Sequence, residues 1–430
     1  MLDINKIRFE KKQIETALYK RNLNFSFDEV LELDDKRKTV QIEIDNLRAL
    51  RKKTSFEISE IKKENKKEDK NANKLITQMK NVGDEINELE VLQKELKKRI
   101  FNILSFLPNI PDEDLQAGDK KNNKVIKTFL NQKNYDFNIK HHFEISKNLN
   151  LIDYDRGIKI SGEGSWIYKN IGAELEWALI NFFIDFHLKD NWEFLLVPHI
   201  LNYECGFTAG QFPKFENEEF SLNLESKNKK FMLPTSETAL ISIHMNEILD
   251  EDDLPKKYFS YTPCYRKESG SSRIEERGTV RGHQFNKVEM VQYTHENDSN
   301  RAFEEMLERS ERLMQNLDLH YQVSKLAAAD CSFSACRTYD IEVWLPSIKI
   351  YKEVSSVSNC KDFQSRRGNI KYRDKNTKKL KFLHTLNASG LATSRLFPAI
   401  LEQYQQSDGS VVVPKVLRPY LKGVEVIKNN

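Results

Sequence analysis

The sequence of 430 residues predicts an α+β protein with an N-terminal antiparallel two-helix coiled-coil arm and a globular part built on paired strands. Three observations carry this. Apolar residues repeat in heptads through two runs of the first hundred residues. Two strand-like segments flank a charged, glycine-containing turn between Tyr265 and Val291. Pro108 and Pro111, in Leu107-Pro-Asn-Ile-Pro-Asp-Glu, separate the helical from the mixed part. The boundaries that follow are an arm over 1–111, a linker over 112–140 carrying a short strand, and a globular domain over 141–430.

In the first run, Leu33, Val40, Ile44, Leu47, Thr54, Ile58 and Ile61 step by threes and fours, with Arg37 and Arg51 in the gaps. In the second, Leu75, Met79, Val82, Ile86, Leu89, Leu96, Ile100 and Ile103 repeat the spacing after a polar break over 65–73. Two helices of about 45 Å each, at about 1.5 Å per residue, should fold back on one another. The apolar stripe is one or two residues wide, too narrow for broad docking on a core, so the hairpin should project into solvent. Its tip carries Lys62, Lys63, Lys66, Lys67 and Lys70. On residue type alone, this is solvated charge on a coiled coil.

Charge and cysteine usage bound the class. Lysine plus arginine total 68 against 65 acids, so a net charge of +3 does not argue for nucleic acid, and any basic surface must be local. Five scattered cysteines with no paired C-x-x-C units indicate neither a zinc site nor a disulfide framework. No signal-peptide run opens the sequence and no stretch approaches the roughly 20 apolar residues of a membrane span, which fits a cytoplasmic protein.

Farther along, Gly172 to Phe183 reads as an amphipathic helix and Phe194 to His199 as a strand ending at Pro198. His142, in His141-His-Phe-Glu-Ile, reads as structural. Met232-Leu-Pro-Thr-Ser-Glu-Thr contains Thr235 and Glu237, which could be a helix capping pair or a polar binding element. Ser299 to Leu317 has helical periodicity, and the stretches from Tyr339 and from Tyr351 read as strands. Strand alternation puts Arg266 and Glu268 on one face of the 265–291 hairpin, and Phe285, Lys287 and Glu289 on one face of its return. Composition alone would make this an edge hairpin with a solvated face.

The order of residues is more specific. Tyr265-Arg-Lys-Glu-Ser-Gly-Ser, followed by Arg277-Gly-Thr-Val-Arg-Gly-His-Gln-Phe-Asn-Lys-Val-Glu-Met, resembles motif 2 of class II aminoacyl-tRNA synthetases, specifically the seryl-tRNA synthetases of bacterial type. Residues 172–198 are similar to motif 1, and 385–404, with Thr385-Leu-Asn-Ala-Ser-Gly-Leu-Ala-Thr-Ser-Arg, to motif 3. The resemblance implies an antiparallel sheet flanked by helices, a homodimer through motif 1, and serine, ATP and tRNA as substrates. It implies that Arg266 and Arg395 are catalytic, the first on the α-phosphate and substrate carboxylate, the second on the γ-phosphate. Serine binding falls to Thr235, Ser236, Glu237, Glu289, Asn387 and Ser389. ATP binding falls to Arg266, Lys267, Glu268, Arg281, Phe285, Glu353, Val354, Ser355, Ser356 and Arg395, with Phe285 stacked on adenine. Glu353 and Ser356 would hold Mg²⁺, which takes only one or two protein carboxylates; no zinc is expected. The lysine-rich tip would meet the long variable arm of tRNA(Ser), and by family analogy tRNA(Sec) where it exists.

The sequence departs from the family pattern in places. The turn Ser272-Arg-Ile-Glu-Glu-Arg277 and Lys267 differ from usual members, Trp177 stands where a small or basic residue is more common, and Pro398 lies three residues after Arg395. A proline inside a helix costs roughly 3 kcal/mol or a kink, which places Arg395 near a helix start. Two other readings are disfavoured: a synthetase-like ligase loading carrier proteins would lack the arm, and a degenerate, non-enzymatic coiled-coil module should have lost Arg266, Glu289 or Arg395, all of which remain.

Overall fold

The structure, a computed structural model, describes residues 1–64, 70–222, 229–268 and 278–429. The chain divides into two compact units.

One unit comprises Leu2–Thr16 and Asn24–Leu107. Its long helices are α2 (Asp28–Glu64, 37 residues) and α3 (Lys70–Ser105, 36 residues). Each is therefore about 55 Å long, longer than the heptads alone suggested, because both continue past the apolar register. Arg48 pairs with Glu90 at 2.7 Å and Arg99 with Glu29 at 3.1 Å, so the two run antiparallel. Val40, Ile44, Ile86, Leu96 and Ile100 are buried along the seam, while Leu47, Val82 and Leu89 are half-buried. A helix that the heptads did not signal, α1 (Ile4–Tyr19), buries Ile7 and Ile14, and Arg8 in it bonds Asp34 at 2.9 Å. Lys62, Lys63 and Lys70 are exposed at the helix ends. Lys66 and Lys67 lie outside the described residues, as does the turn 269–277.

The other unit holds Met1, Ala17–Leu23 and Pro108–Asn430. Its centre is an eight-stranded sheet. The strands are β1 (Lys124–Phe129), β2 (Glu193–Phe194), β3 (Lys256–Tyr265), β4 (Gln284–Thr294), β5 (Tyr321–Lys325), β6 (Arg337–Leu345), β7 (Ile350–Lys361) and β8 (His384–Ala392). Their order is β1-β5-β6-β7-β8-β4-β3-β2, antiparallel except for the short β2, which runs parallel to β3. The segment read as a linker thus supplies an edge strand.

Alternation decides what the central strands present. On β4, Val288 and Met290 enter the main core with Leu386 and Ala388 of β8, while Lys287 and Glu289 point into a cleft with Asn387 and Ser389. That core is closed by α4 (Ile171–Leu188), α6 (Ser299–Asn316) and α8 (Thr393–Gln403). Two short helices, α5 (Ser236–Leu240) and α7 (Phe363–Gly368), complete the cleft's surroundings. The five cysteines are all buried and free. Among the described residues no helix is long and apolar enough to cross a membrane.

Candidate active site

The cleft is lined by Thr235, Glu237, Arg266, Glu268, Arg281, Phe285, Glu289, Glu353, Val354, Ser356, Asn387, Ser389 and Arg395. These residues come from the start of α5, the hairpin's β4 and the segments that flank its turn, β7, β8 and the first turn of α8. The expected position of Arg266 and Glu268 on a strand is corrected: β3 ends at Tyr265, and Glu268 has a positive φ of 46°. Arg266 still donates its N–H to the His283 carbonyl at 3.0 Å, and the chain leaves the ladder after it, so Glu268 is placed by the turn and not by pleat alternation. Arg266 donates from Nε to the Pro234 carbonyl at 3.2 Å, and its guanidinium lies 5.2 Å from the Phe285 ring centroid. Glu268 is paired with Arg281.

The side chains of Ser236, Lys267 and Ser355 are not among those that line the cleft. Ser236 is fully buried in the first turn of α5. Lys267 turns outward, donating to the Asn217 carbonyl at 3.2 Å. Ser355 alternates with Val354 and Ser356 to the opposite face, where its hydroxyl bonds the Ser389 carbonyl at 2.6 Å.

At one end of the cleft the acids gather. Thr235 caps α5, accepting from the Glu237 N–H at 3.2 Å, so the capping reading of this pair holds as local structure. Its hydroxyl also accepts from Lys287 Nζ at 2.7 Å, and Lys287 is paired with Glu289. Asn387 donates to Glu237 Oε1 at 3.0 Å, and the Ser389 hydroxyl stands 3.5 Å from Glu289 Oε2. Burial, reinforced by the neighbouring Glu289, pushes the Glu237 carboxyl up to about 7. Lys287 and Gln364, which the sequence did not single out as site residues, are integral to this cluster. Lys287 could have been found from its cleft-facing parity with Phe285 and Glu289; nothing local marks Gln364.

At the other end, Arg395 donates to the Glu353 carbonyl at 2.8 Å and its guanidinium approaches the Glu353 carboxylate at 3.4 Å. Pro398 sits inside α8, so the Ser394 carbonyl has no N–H four residues on. The Thr279 hydroxyl takes that place, donating to it at 2.8 Å. The chain returning from the hairpin turn is thereby fastened to the first turn of α8, beside Arg395. Next to it, Gly282 is required by close approach, since a Cβ there would lie 2.2 Å from the Trp166 ring. Asp340, opposite Ser356 in the β6/β7 register, is buried with Oδ1 lacking a hydrogen-bond partner among the described residues. Burial, then the charge of Glu353, holds its carboxyl well above the usual range.

Beneath the cleft, Glu176 of α4 accepts from Asn286 Nδ2 at 2.9 Å and from the Thr393 hydroxyl, joining a helix, a hairpin strand and the start of α8. His142 packs its Nδ1 2.7 Å from Glu402 Oε1, away from the cleft-lining side chains. His141, His142 and Glu402 are close enough to share a cation, but the Glu402 oxygens already accept from the His142 and Ser347 N–H groups and the Ser347 hydroxyl.

Comparison with known proteins converges on one family. Residues 1–111 match the seryl-tRNA synthetase N-terminal domain, and residues 220–404 the class II core domain of tRNA synthetases (G, H, P, S and T). Serine–tRNA ligase 2 of Clostridium acetobutylicum is 53% identical over 98% of this chain and 99% of its own, and the serine–tRNA ligase of Thermodesulfovibrio yellowstonii 42% identical over the full length of both. The seryl-tRNA synthetase of Pyrococcus horikoshii, solved with ATP, superposes with a TM-score of 0.92 at 32% identity, covering 100% of both chains. The cytoplasmic serine–tRNA ligase of Naegleria fowleri, solved with AMP, gives 0.88 at 26% identity over 100% of this chain and 99% of its own. With an arm, an antiparallel sheet and a cleft that brings acids and arginines together, the chain belongs to the seryl-tRNA synthetase family of class II aminoacyl-tRNA synthetases.

Proposed function

We infer that the chain is an ATP-dependent serine–tRNA ligase, making seryl-adenylate from serine and ATP and passing the seryl group to tRNA. The observation that carries this is one cleft that brings the acids Glu237 and Glu289, with Thr235, together with the guanidinium groups of Arg266 and Arg395. An amino acid and a triphosphate placed across it would each meet complementary charge.

In the first step a serine carboxylate oxygen bonds to the α-phosphorus as the bond from that phosphorus to the bridging oxygen breaks, and pyrophosphate leaves. The nucleophile is already ionised, so the residues orient and neutralise and need move no proton. Arg266, beside Phe285, is placed to hold the α-phosphate and the attacking carboxylate together, with adenine against the ring. Arg395 at the mouth of α8 would neutralise the γ-phosphate. In the second step a terminal hydroxyl of the tRNA attacks the seryl carbonyl, the carbonyl–oxygen bond to AMP breaks, and the hydroxyl proton is lost to phosphate or water.

At the acid end, Glu237 and Glu289 face the α-ammonium, and Asn387 and Ser389 offer hydrogen bonds to the substrate hydroxyl. Alanine would leave such groups unpaired, which disfavours it by up to about 10⁴-fold. Glu353 and Ser356, both lining the cleft, are oxygen donors of the kind Mg²⁺ takes, and the ion would neutralise phosphate charge when bound. The exposed Trp177 on α4 and Leu196 after β2 support a homodimer through motif 1. The arm's basic tip is proposed to meet the variable arm of tRNA(Ser), and family analogy extends the acceptor to tRNA(Sec) where it exists.

The test is exchange of pyrophosphate into ATP without tRNA, using serine with alanine, threonine and cysteine as controls. Exchange with serine alone is expected; exchange led by another amino acid, or none from folded protein, overturns the reading.

A further inference from the structure

Gln364 lies on α7, fully buried, outside the set of cleft-lining side chains. Every polar atom of its carboxamide is engaged. Nε2 donates to the Ala209 carbonyl at 3.0 Å and to Glu237 Oε1 at 2.9 Å, while Oε1 accepts from the Thr385 hydroxyl at 2.7 Å. The Ala209 carbonyl can only accept, so it fixes which end of the amide is nitrogen. The second hydrogen on that nitrogen must then point at Glu237. Asn387 donates to the same carboxylate oxygen at 3.0 Å, and among the described residues Glu237 Oε2 accepts no such bond, which leaves it for a ligand.

We propose that Gln364 is the positioning residue of the ammonium pocket, fixing the Glu237 carboxyl as an acceptor for the α-amino group of the incoming serine and favouring its ionised form. The inference rests on the functional reading above and adds to it a residue from outside the cleft. Its physical basis is that a buried carboxylate facing another acid would otherwise take up a proton, and a neutral carboxyl cannot pair with an ammonium. Burial and Glu289 act in that direction on Glu237; the bond from Gln364 opposes them, helped by the charges of Lys287 and Arg266. A further titratable neighbour among the described residues is Cys360 of β7, whose thiol is itself pushed up by burial and by Glu237 and stays neutral.

The variant Gln364→Met keeps the length of the side chain and removes the donor. In serine-dependent pyrophosphate exchange at pH 7 it should raise KM for serine roughly tenfold, the scale of one charge-assisted hydrogen bond, with kcat and KM for ATP within about twofold of the parent. The ratio of variant to parent KM should fall as pH rises from 6.5 to 8.5, since Glu237 ionises in both proteins at the upper end. Taking the ratio cancels the titration of serine itself. Thr385→Val, which frees the far end of the carboxamide without touching Glu237, should shift KM for serine in the same direction by a smaller factor, and carries the test should the methionine variant fold poorly. A KM ratio that is flat with pH, or a fall in kcat at unchanged KM for serine, overturns the role of Gln364. A parent chain that shows no serine-dependent exchange overturns the functional reading instead, and this inference with it.

Discussion

Arg266 is held from two sides, with Nε tied to the Pro234 carbonyl and the guanidinium over the Phe285 ring, so it stands between the proposed serine and ATP subsites. Arg266→Ala should therefore lower serine-dependent exchange by at least about 10²- to 10³-fold, the usual loss when a preorganised donor at developing charge is removed. Near-normal exchange would take Arg266 out of the catalytic step. Glu176 gives a prediction about stability. Burial pushes its carboxyl up to about 7, only partly opposed by the bonds from Thr393 and Asn286. An acid with a raised folded value binds more protons folded than unfolded between its ordinary value and about 7, so stability falls as pH rises through that window. Glu176→Gln keeps an acceptor for both donors and abolishes the titration. Relative to the parent it should be more stable at pH 8 than at pH 5, by on the order of 1–3 kcal/mol in chemical denaturation. An equal difference at both pH values would show that Glu176 stays ionised throughout. Neither Glu176 nor Gln364 was legible in the sequence, because what distinguishes them is a partner more than a hundred residues away, Thr393 and Glu237 respectively.

The helix start at Thr393 shows how a local rule can be broken and repaired by a distant residue. Pro398 alone argues against a helix through this stretch, yet α8 continues because the Thr279 hydroxyl supplies the bond that Pro398 cannot donate. Thr279→Val should leave the buried Ser394 carbonyl unpaired, costing about 1–3 kcal/mol of stability. Because Arg395 follows directly and its Nε lies 3.4 Å from the Val280 carbonyl, KM for ATP should rise more than KM for serine. Thr279→Ser should restore both; equal changes in the two KM values would reduce the Thr279 bond to plain packing. The elements with one strong pattern were the legible ones. The α2/α3 heptads and the parity of β4 follow from side-chain direction alone. The end of β3 was misplaced by three residues because nothing in Arg266-Lys-Glu opposes an extended chain, and the turn is imposed by the Glu268 backbone and its pairing with Arg281. The edge strand β1 was half-read for the converse reason: its sequence is polar and exposed, and its place in the sheet comes from the backbone ladder with β5.

The two compact units divide the proposed reaction between them, since the activation cleft lies wholly in the unit that contains the sheet, whereas the lysine-rich tip belongs to the helical unit. Chemistry on small substrates and capture of tRNA should therefore be separable by mutation. Lys62, Lys63 and Lys70 are exposed, and among the described residues Lys63 makes a surface pair with Glu60 at 2.8 Å, so replacing the three with glutamine should cost little stability. Serine-dependent exchange should be unchanged, while charging of tRNA(Ser) should weaken through KM for the tRNA. The dependence of binding on salt should flatten by up to about 0.9 in log–log slope for each phosphate that is no longer neutralised. Flexible lysines on a rigid helix suit shape and backbone recognition, so the weakening should be similar for variable arms of different sequence and equal length. Two results would overturn this division. Unchanged charging and salt slope would leave these lysines as solvated charge, as residue type alone suggested. A parallel loss of exchange and charging would mean that the tip substitutions reach the cleft through folding of the whole chain and not through the tRNA.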